Sequence, residues 1–373
     1  MYEKKFSYLT LSVIVLLLGF SSCSNGEDSE PVDNAKPKSV FLKLGKSTAT
    51  THSVSSPVAN GADVVLQSGD LYFVNASGAI LKHYTITSST TSATNINMTE
   101  AHNGASITNL PGNTEMVYVI GNTSGLPTSG NISAVQEVVL QMESQDDIED
   151  VNLYGSGLLV DPVSPATAYT CEVDLKPTVA RIELTDITAA GVITDFKVEG
   201  IFVDNYFSQA LVNGSVTSTD FVENGAVAAA FDDETSEYPA GLKPAIYDFY
   251  DPALSASTNV AKPAGTGTVW AYNLFASSTG STVPRIIIRL SDIATNDGST
   301  YADPQFITVK GFKAVSGGAS LTSIESGKIY KIAAGALTFN ETDLSPIPNL
   351  NLIDIEVTVN LATWTVVGVT PEL

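Results

Sequence analysis

The residues of this 373-residue chain with chemistry to offer are three histidines, two cysteines and forty carboxylates. Metal binding or acid–base catalysis needs such groups to converge, yet His52, His83 and His102 sit in Ser-, Thr- and Asn-rich sequence at no ligand-like spacing from one another. The acidic run Asp146, Asp147, Glu149 and Asp150 lacks the ligand order of an EF-hand and reads as a solvated turn. Gly155-Ser156-Gly157 does not complete the G-x-S-x-G elbow of a hydrolase. Gly265-Thr266-Gly267 runs into a strand around Trp270, whereas a phosphate cradle opens a helix. Only carboxylates assembled by the fold remain as a catalytic option, so the expectation is a protein that is not an enzyme and carries no metal or cofactor. Tyr238, Tyr247, Phe249 and Tyr250, interspersed with Asp248 and Asp251, could stack on a sugar face. That would suit a monomeric, surface-exposed glycan-binding lipoprotein, but we read the rings as plugs that pack their own loop onto the domain.

Cys23 differs, because its surroundings specify a modification. Residues 1–22 combine a basic start (Lys4, Lys5), an apolar stretch from Leu9 to Phe20, and Ser21 and Ser22 directly before the cysteine. The apolar stretch is shorter than the roughly 20 residues a membrane-spanning helix needs. Residues 1–22 are therefore expected to be a signal peptide, ending in a lipobox where the Cys23 thiol is acylated. Cys171 then lacks an intrachain partner and is expected as a buried thiol. Residues 23–38 hold few large apolar side chains and form a solvated tether. Its acidic residues Glu27, Asp28 and Glu30 suit either a surface-export signal or a plain linker. The net charge of −22 and a pI near 4.3 leave no clustered Lys and Arg for phosphate backbones, which excludes nucleic acid as a partner.

The elements beyond the tether are strands. At 39–44, Val40, Leu42 and Leu44 share one face while Phe41 and Lys43 take the other. A small-residue loop at 45–61 with Lys46 follows, then strands at 62–66, 71–74, 79–86 and 115–120 separated by turn signals. One helix is expected at 134–144, capped by Ser133, with Val135, Val138, Val139 and Met142 at helical spacing. After Lys176-Pro177 strands resume at 178–184, 195–204, 269–277, 285–290, 305–310 and 328–334, with 205–268 an elaborated loop region and 340–351 a connector. Length and spacing predict an all-β protein with one or two short helices, folded as two β-sandwich domains at 39–176 and 177–373. The tail is the most regular part: Ile353, Ile355, Val357, Val359 and Leu361 alternate with polar residues. The phase slips at Ala362-Thr363, as at a β-bulge, before a second extended piece from Trp364 to Val369 ahead of Pro371.

Taken in order, these pieces resemble the fimbrillins of the Bacteroidota-type (type V) pilus. The similarity rests on the lipobox at Cys23, the 39–44 strand with its small-residue loop, and Asp70-Leu71-Tyr72-Phe73-Val74-Asn75. Val179-Ala180-Arg181-Ile182, Gly327-Lys328-Ile329-Tyr330-Lys331 and the closing stretch from Val357 to Val367 complete it. The resemblance implies transthyretin-like sandwiches, export as an outer-membrane lipoprotein, and proteolysis after the first strand. Loss of Val40, Leu42 and Leu44 would open an apolar groove in the sheet. The donor that fills it would be a neighbour's tail, 353–373, through Ile353, Ile355, Val357, Val359, Leu361, Trp364 and Val366. Partners are then copies of the chain, other pilus subunits, a maturation protease and a host or bacterial surface receptor. Fimbrillins of this type are commonly cut by an arginine-specific protease, yet Arg181, Arg285 and Arg289 all fall in expected strands. Lys46 and a trypsin-like enzyme are the expected substitutes.

Overall fold

The computed structural model describes residues 36–44, 63–145, 149–161, 168–224, 231, 246–265, 267–276, 283–313, 319–348, 355–363 and 365–368. Alternating β-rich stretches in the first half become β1 (Lys38–Leu44), β2 (Asp63–Leu66), β3 (Gly69–Val74), β4 (Ile80–Thr87) and β5 (Asn95–Asn97). A short helix α1 (Met98–Asn103) follows, then β6 (Ala105–Leu110), β7 (Met116–Gly121), helix α2 (Ile132–Gln136), β8 (Val139–Gln141), β9 (Leu153–Leu158), β10 (Tyr169–Val173) and β11 (Lys176–Pro177). Two sheets result, β10-β1-β6 and β11-β9-β7-β3-β4-β5. Their inner faces meet through Val40, Leu42 and Leu44 on one side and Leu71, Phe73, Val117 and Val119 on the other, all members of one buried cluster.

The second half repeats the plan. It holds β12 (Val179–Leu184), β13 (Ile187–Ala189), β14 (Ile193–Asp204), β15 (Tyr206–Phe207), β16 (Gln209–Leu211), β17 (Phe221–Val222), β18 (Tyr247–Ser255) and β19 (Val260–Ala261). These are followed by β20 (Trp270–Phe275), β21 (Arg285–Thr295), β22 (Gln305–Lys313), β23 (Lys328–Ile332), β24 (Thr338–Phe339), β25 (Ile355–Thr363) and β26 (Thr365–Gly368). The main sheet runs β18-β14-β21-β22-β25-β23-β12-β20. Without β25 it divides into β18-β14-β21-β22 and β23-β12-β20. These match β4-β3-β7-β9 and β10-β1-β6 of the first half strand for strand, in the same chain order. The pairing sense agrees as well: β1 and β12 each lie between one antiparallel and one parallel neighbour. The halves thus share a seven-stranded sandwich core, which short β5 and β11 extend in the first half and β25 extends as an eighth strand in the second.

Two expectations need correction. The 134–144 segment is not one helix: α2 ends at Gln136, the chain extends as β8, and a single 3-10 turn covers Met142–Ser144. Asn131, not Ser133, is the cap, its Oδ1 accepting from the Ser133 N–H at 3.0 Å. β-Branched Val138 and Val139 favour strand, and β8 finds its ladder partner in distant β16. The 205–268 region is not merely a loop, since β18 within it forms an edge of the main sheet on β14.

Candidate assembly site

β1 is the middle strand of its small sheet, parallel to β10 and antiparallel to β6. Its alternation is physical: Val40, Leu42 and Leu44 are buried, whereas Phe41 is 44% exposed. One face of β1 therefore seals the core, and the other looks outward, where Phe41 lies half exposed. Leu42 stands opposite Cys171 on β10. The Cys171 thiol is buried, and burial pushes its pKa up to about 11 because the thiolate loses its hydration. The ends of β1 are held by polar contacts. Lys38 Nζ donates to the Thr114 carbonyl at 2.8 Å and lies 4.8 Å from the Tyr169 ring centre, while Lys43 sits 4.0 Å from Glu172. Burial, with Lys43 nearby, holds the His102 pKa below the ordinary value.

The tail occupies two places. β25 lies parallel to β22 and antiparallel to β23, the same mixed environment that β1 has between β10 and β6. β26 crosses to the first half and pairs in parallel with β2, Val64 opposite Val366. β2 is fixed to its sandwich by buried Val64 and Leu66 and by Asn122, whose Nδ2 donates to the Val65 carbonyl at 2.6 Å. Of the proposed donor residues, Ile355, Val357, Val359 and Leu361 lie in β25 and Val366 in β26. Cys23, Lys46, Ile353 and Trp364 lie outside the described residues, as do His52, Tyr238, Asp146 and Asp147. The three arginines are in strands as expected: Arg181 in β12, Arg285 and Arg289 in β21.

The described members of the aromatic cluster, Tyr247, Phe249 and Tyr250, are engaged within the protein. Trp270 Nε1 donates to the Tyr250 hydroxyl at 2.6 Å, and the Tyr272 hydroxyl donates to Asp248 at 2.8 Å. These bonds join edge strand β18 to edge strand β20, closing the second sandwich along a side-chain seam. Burial raises the pKa of Asp248 and of Tyr272 alike. Tyr247 stacks on Phe202, and Phe249 packs on a cluster of Phe202, Phe231, Ile287 and Phe306.

Sequence spacing missed three features. His83 meets Asp70 at 2.7 Å across β3 and β4, with the Tyr72 ring beside it. Arg181 and Glu183 form a buried ion pair at 2.9 Å in β12, marked in sequence only by two charges two residues apart in an apolar strand. Phe41 lies over Gly104, a contact between distant segments. Among the described residues no group of three or more His, Cys, Asp or Glu could hold a metal ion, and no helix is long and apolar enough to cross a membrane.

No protein-family model matches the chain, and no curated protein sequence matches it. Solved structures do. A fimbrilin of Porphyromonas gingivalis superposes with a TM-score of 0.54 at 12% identity, over 90% of this chain and 99% of that one. A candidate cell adhesion protein of Bacteroides eggerthii gives 0.52 at 17% identity, over 90% and 98% of the two chains. A further candidate cell adhesion protein, from Parabacteroides distasonis, gives 0.52 at 14% identity, over 92% and 100%. The chain has the fold of these Bacteroidota proteins across nearly its whole length, in agreement with the resemblance read from its residues.

Proposed function

We propose that the protein is a structural subunit of a cell-surface pilus, exported as a lipoprotein acylated on Cys23 and polymerised by strand exchange. Its role is not enzymatic. A trypsin-like protease cuts after Lys46, between β1 and β2 in sequence, and the acylated leader departs with β1. Val40, Leu42 and Leu44 each leave a vacancy worth roughly 1.5–3 kcal/mol of burial. Unpaired edges of β6 and β10 flank it, so the slot selects an extended, alternating replacement.

The observation that carries this reading is the internal repeat. The first half makes the same seven-stranded core with, among the described residues, no strand joining β9 to β10 as β25 joins β22 to β23, so the second sandwich can yield β25 and remain a sandwich. β25 already lies between one parallel and one antiparallel strand, and the slot offers the same pair of neighbours. A neighbour's 353–373 segment entering the slot joins different surfaces of two copies, and head-to-tail contacts that do not close produce a filament. The fimbrilin fold of the structural neighbours agrees with this role.

The test is N-terminal sequencing of fibre-associated protein with electron microscopy of the cells. The reading expects a mature chain starting after Lys46 in fibres that disappear when the protein is absent. A mature chain still beginning at acylated Cys23 would overturn it.

A further inference from the structure

α1 touches both strands that assembly has to mobilise. It packs against β1 and also neighbours β26. Its two ends are held very differently. At the start, Asn97 Oδ1 accepts from the N–H groups of Thr99 and Glu100 at 2.9 and 3.3 Å, while its Nδ2 donates to the Ser88 and Ser89 carbonyls at 3.0 and 3.2 Å. Thr91 adds a hydrogen bond to Glu100. The start of the helix is thereby bound to the β4–β5 connection and hence to the large sheet. At the end, the chain turns at Gly104 with φ of +116°, and the Phe41 ring lies directly over that glycine. A Cβ at position 104 would stand 2.1 Å from Phe41 Cζ, so the close approach exists only because the residue is glycine.

β26 has modest support of its own. Among the described residues its ladder partner is β2 alone, over four residues. The second sandwich shows what this ladder replaces: there the corresponding short strand β13 is paired in parallel by β24, from the same half of the chain. The first sandwich borrows that partner from the chain's end.

We infer that α1 is a latch that holds the C-terminal strand β26 on β2 only while β1 is in place. It rests on the strand-exchange reading and adds a regulation to it. With β1 present, Phe41 presses the end of α1 at Gly104, and α1 backs the β2–β26 ladder. When β1 leaves, the helix keeps its anchored start and loses its pinned end, and β26 comes free. Opening the acceptor slot and releasing the donor are then one event in one subunit, and an uncut chain keeps its tail at home.

The experiment is hydrogen exchange on the full chain carrying Cys23→Ser, read at the amides of β2 and β26. Phe41→Ala removes the pin without emptying the core, since the ring is half exposed. The latch predicts about tenfold faster exchange in β2 and β26, with the β3 and β7 amides unchanged. Gly104→Ala, which drives the ring off, should act in the same direction, and Val139→Ala, an exposed residue remote from α1, should change nothing. Unaltered exchange at β26 in both Phe41→Ala and Gly104→Ala overturns the latch, and so does an equal rise in every strand. The outcome separates from the parent reading once the same chains are cut after Lys46: a cut chain that polymerises although β26 exchange never changed loses only the latch, whereas a cut chain whose tail is loose and which still does not polymerise loses strand exchange.

Discussion

At the scale of single residues, β1 sets up an unequal pair of substitutions. Leu42→Ala removes a fully buried side chain and should cost about 2–5 kcal/mol in urea unfolding. Phe41→Ala, one position away, should cost about 1 kcal/mol or less, because the ring is half in water. Gly157 is equally constrained: a Cβ there would lie 2.7 Å from the Glu172 carbonyl oxygen and 2.8 Å from Cys171 Sγ, so Gly157→Val should destabilise by about 1–3 kcal/mol. Cys171 adds a pH dependence. Its thiol has the higher pKa in the folded state, so the stability from burying it neutral is complete below the ordinary value of 9.0. That stability is lost as the pH rises through about 11. Unfolding midpoints of the native chain and Cys171→Ala should therefore converge as pH rises across that window.

At the scale of elements, the seam between β18 and β20 substitutes side-chain hydrogen bonds for a ladder. Tyr272→Phe leaves the partly buried Asp248 without this donor and should cost about 1–3 kcal/mol, seen as an earlier thermal transition. The elements also explain what could be read from residues alone. β1 was legible because its alternation between core and solvent is local, and β3, β12 and β14 because they are β-rich runs bounded by turn signals, although β12 is buried on both faces. β18 was not, since its residues are mostly half buried and its membership depends on β14, more than forty residues earlier. The segment after Asn131 misled for the same reason: Val135, Val138, Val139 and Met142 fit a helix by spacing, while β16 draws Val139 into a strand. At the candidate site, the inward face of β1 and the alternating tail were visible in sequence. Their neighbours β10 and β6, the pairing of β26 with β2, and the Phe41–Gly104 contact all join distant segments, which no local pattern encodes.

At the scale of the whole molecule, the chain is a duplicated sandwich with an added strand. On the strand-exchange proposal, the first half gives up its middle strand and the second half its eighth one. That asymmetry suits a unit that accepts at one end and donates at the other. The acidic surface belongs to the same picture, since like charge keeps such chains apart in solution. Association then depends on an open slot, so uncut protein should remain monomeric on size-exclusion columns at concentrations where cut protein elongates.

The slot contains its own probe in Cys171, which faces the position Leu42 occupies. Cysteines placed singly at Val357, Val359 and Leu361, in chains cut after Lys46 and mildly oxidised, test directly whether another copy's tail fills the slot. Strand exchange predicts that at least one of these positions forms an intermolecular disulfide with Cys171, giving a ladder that collapses on reduction and is absent from uncut chains. Fibres that form with no cross-link at any of the three positions, or cross-links confined within single chains, would contradict it.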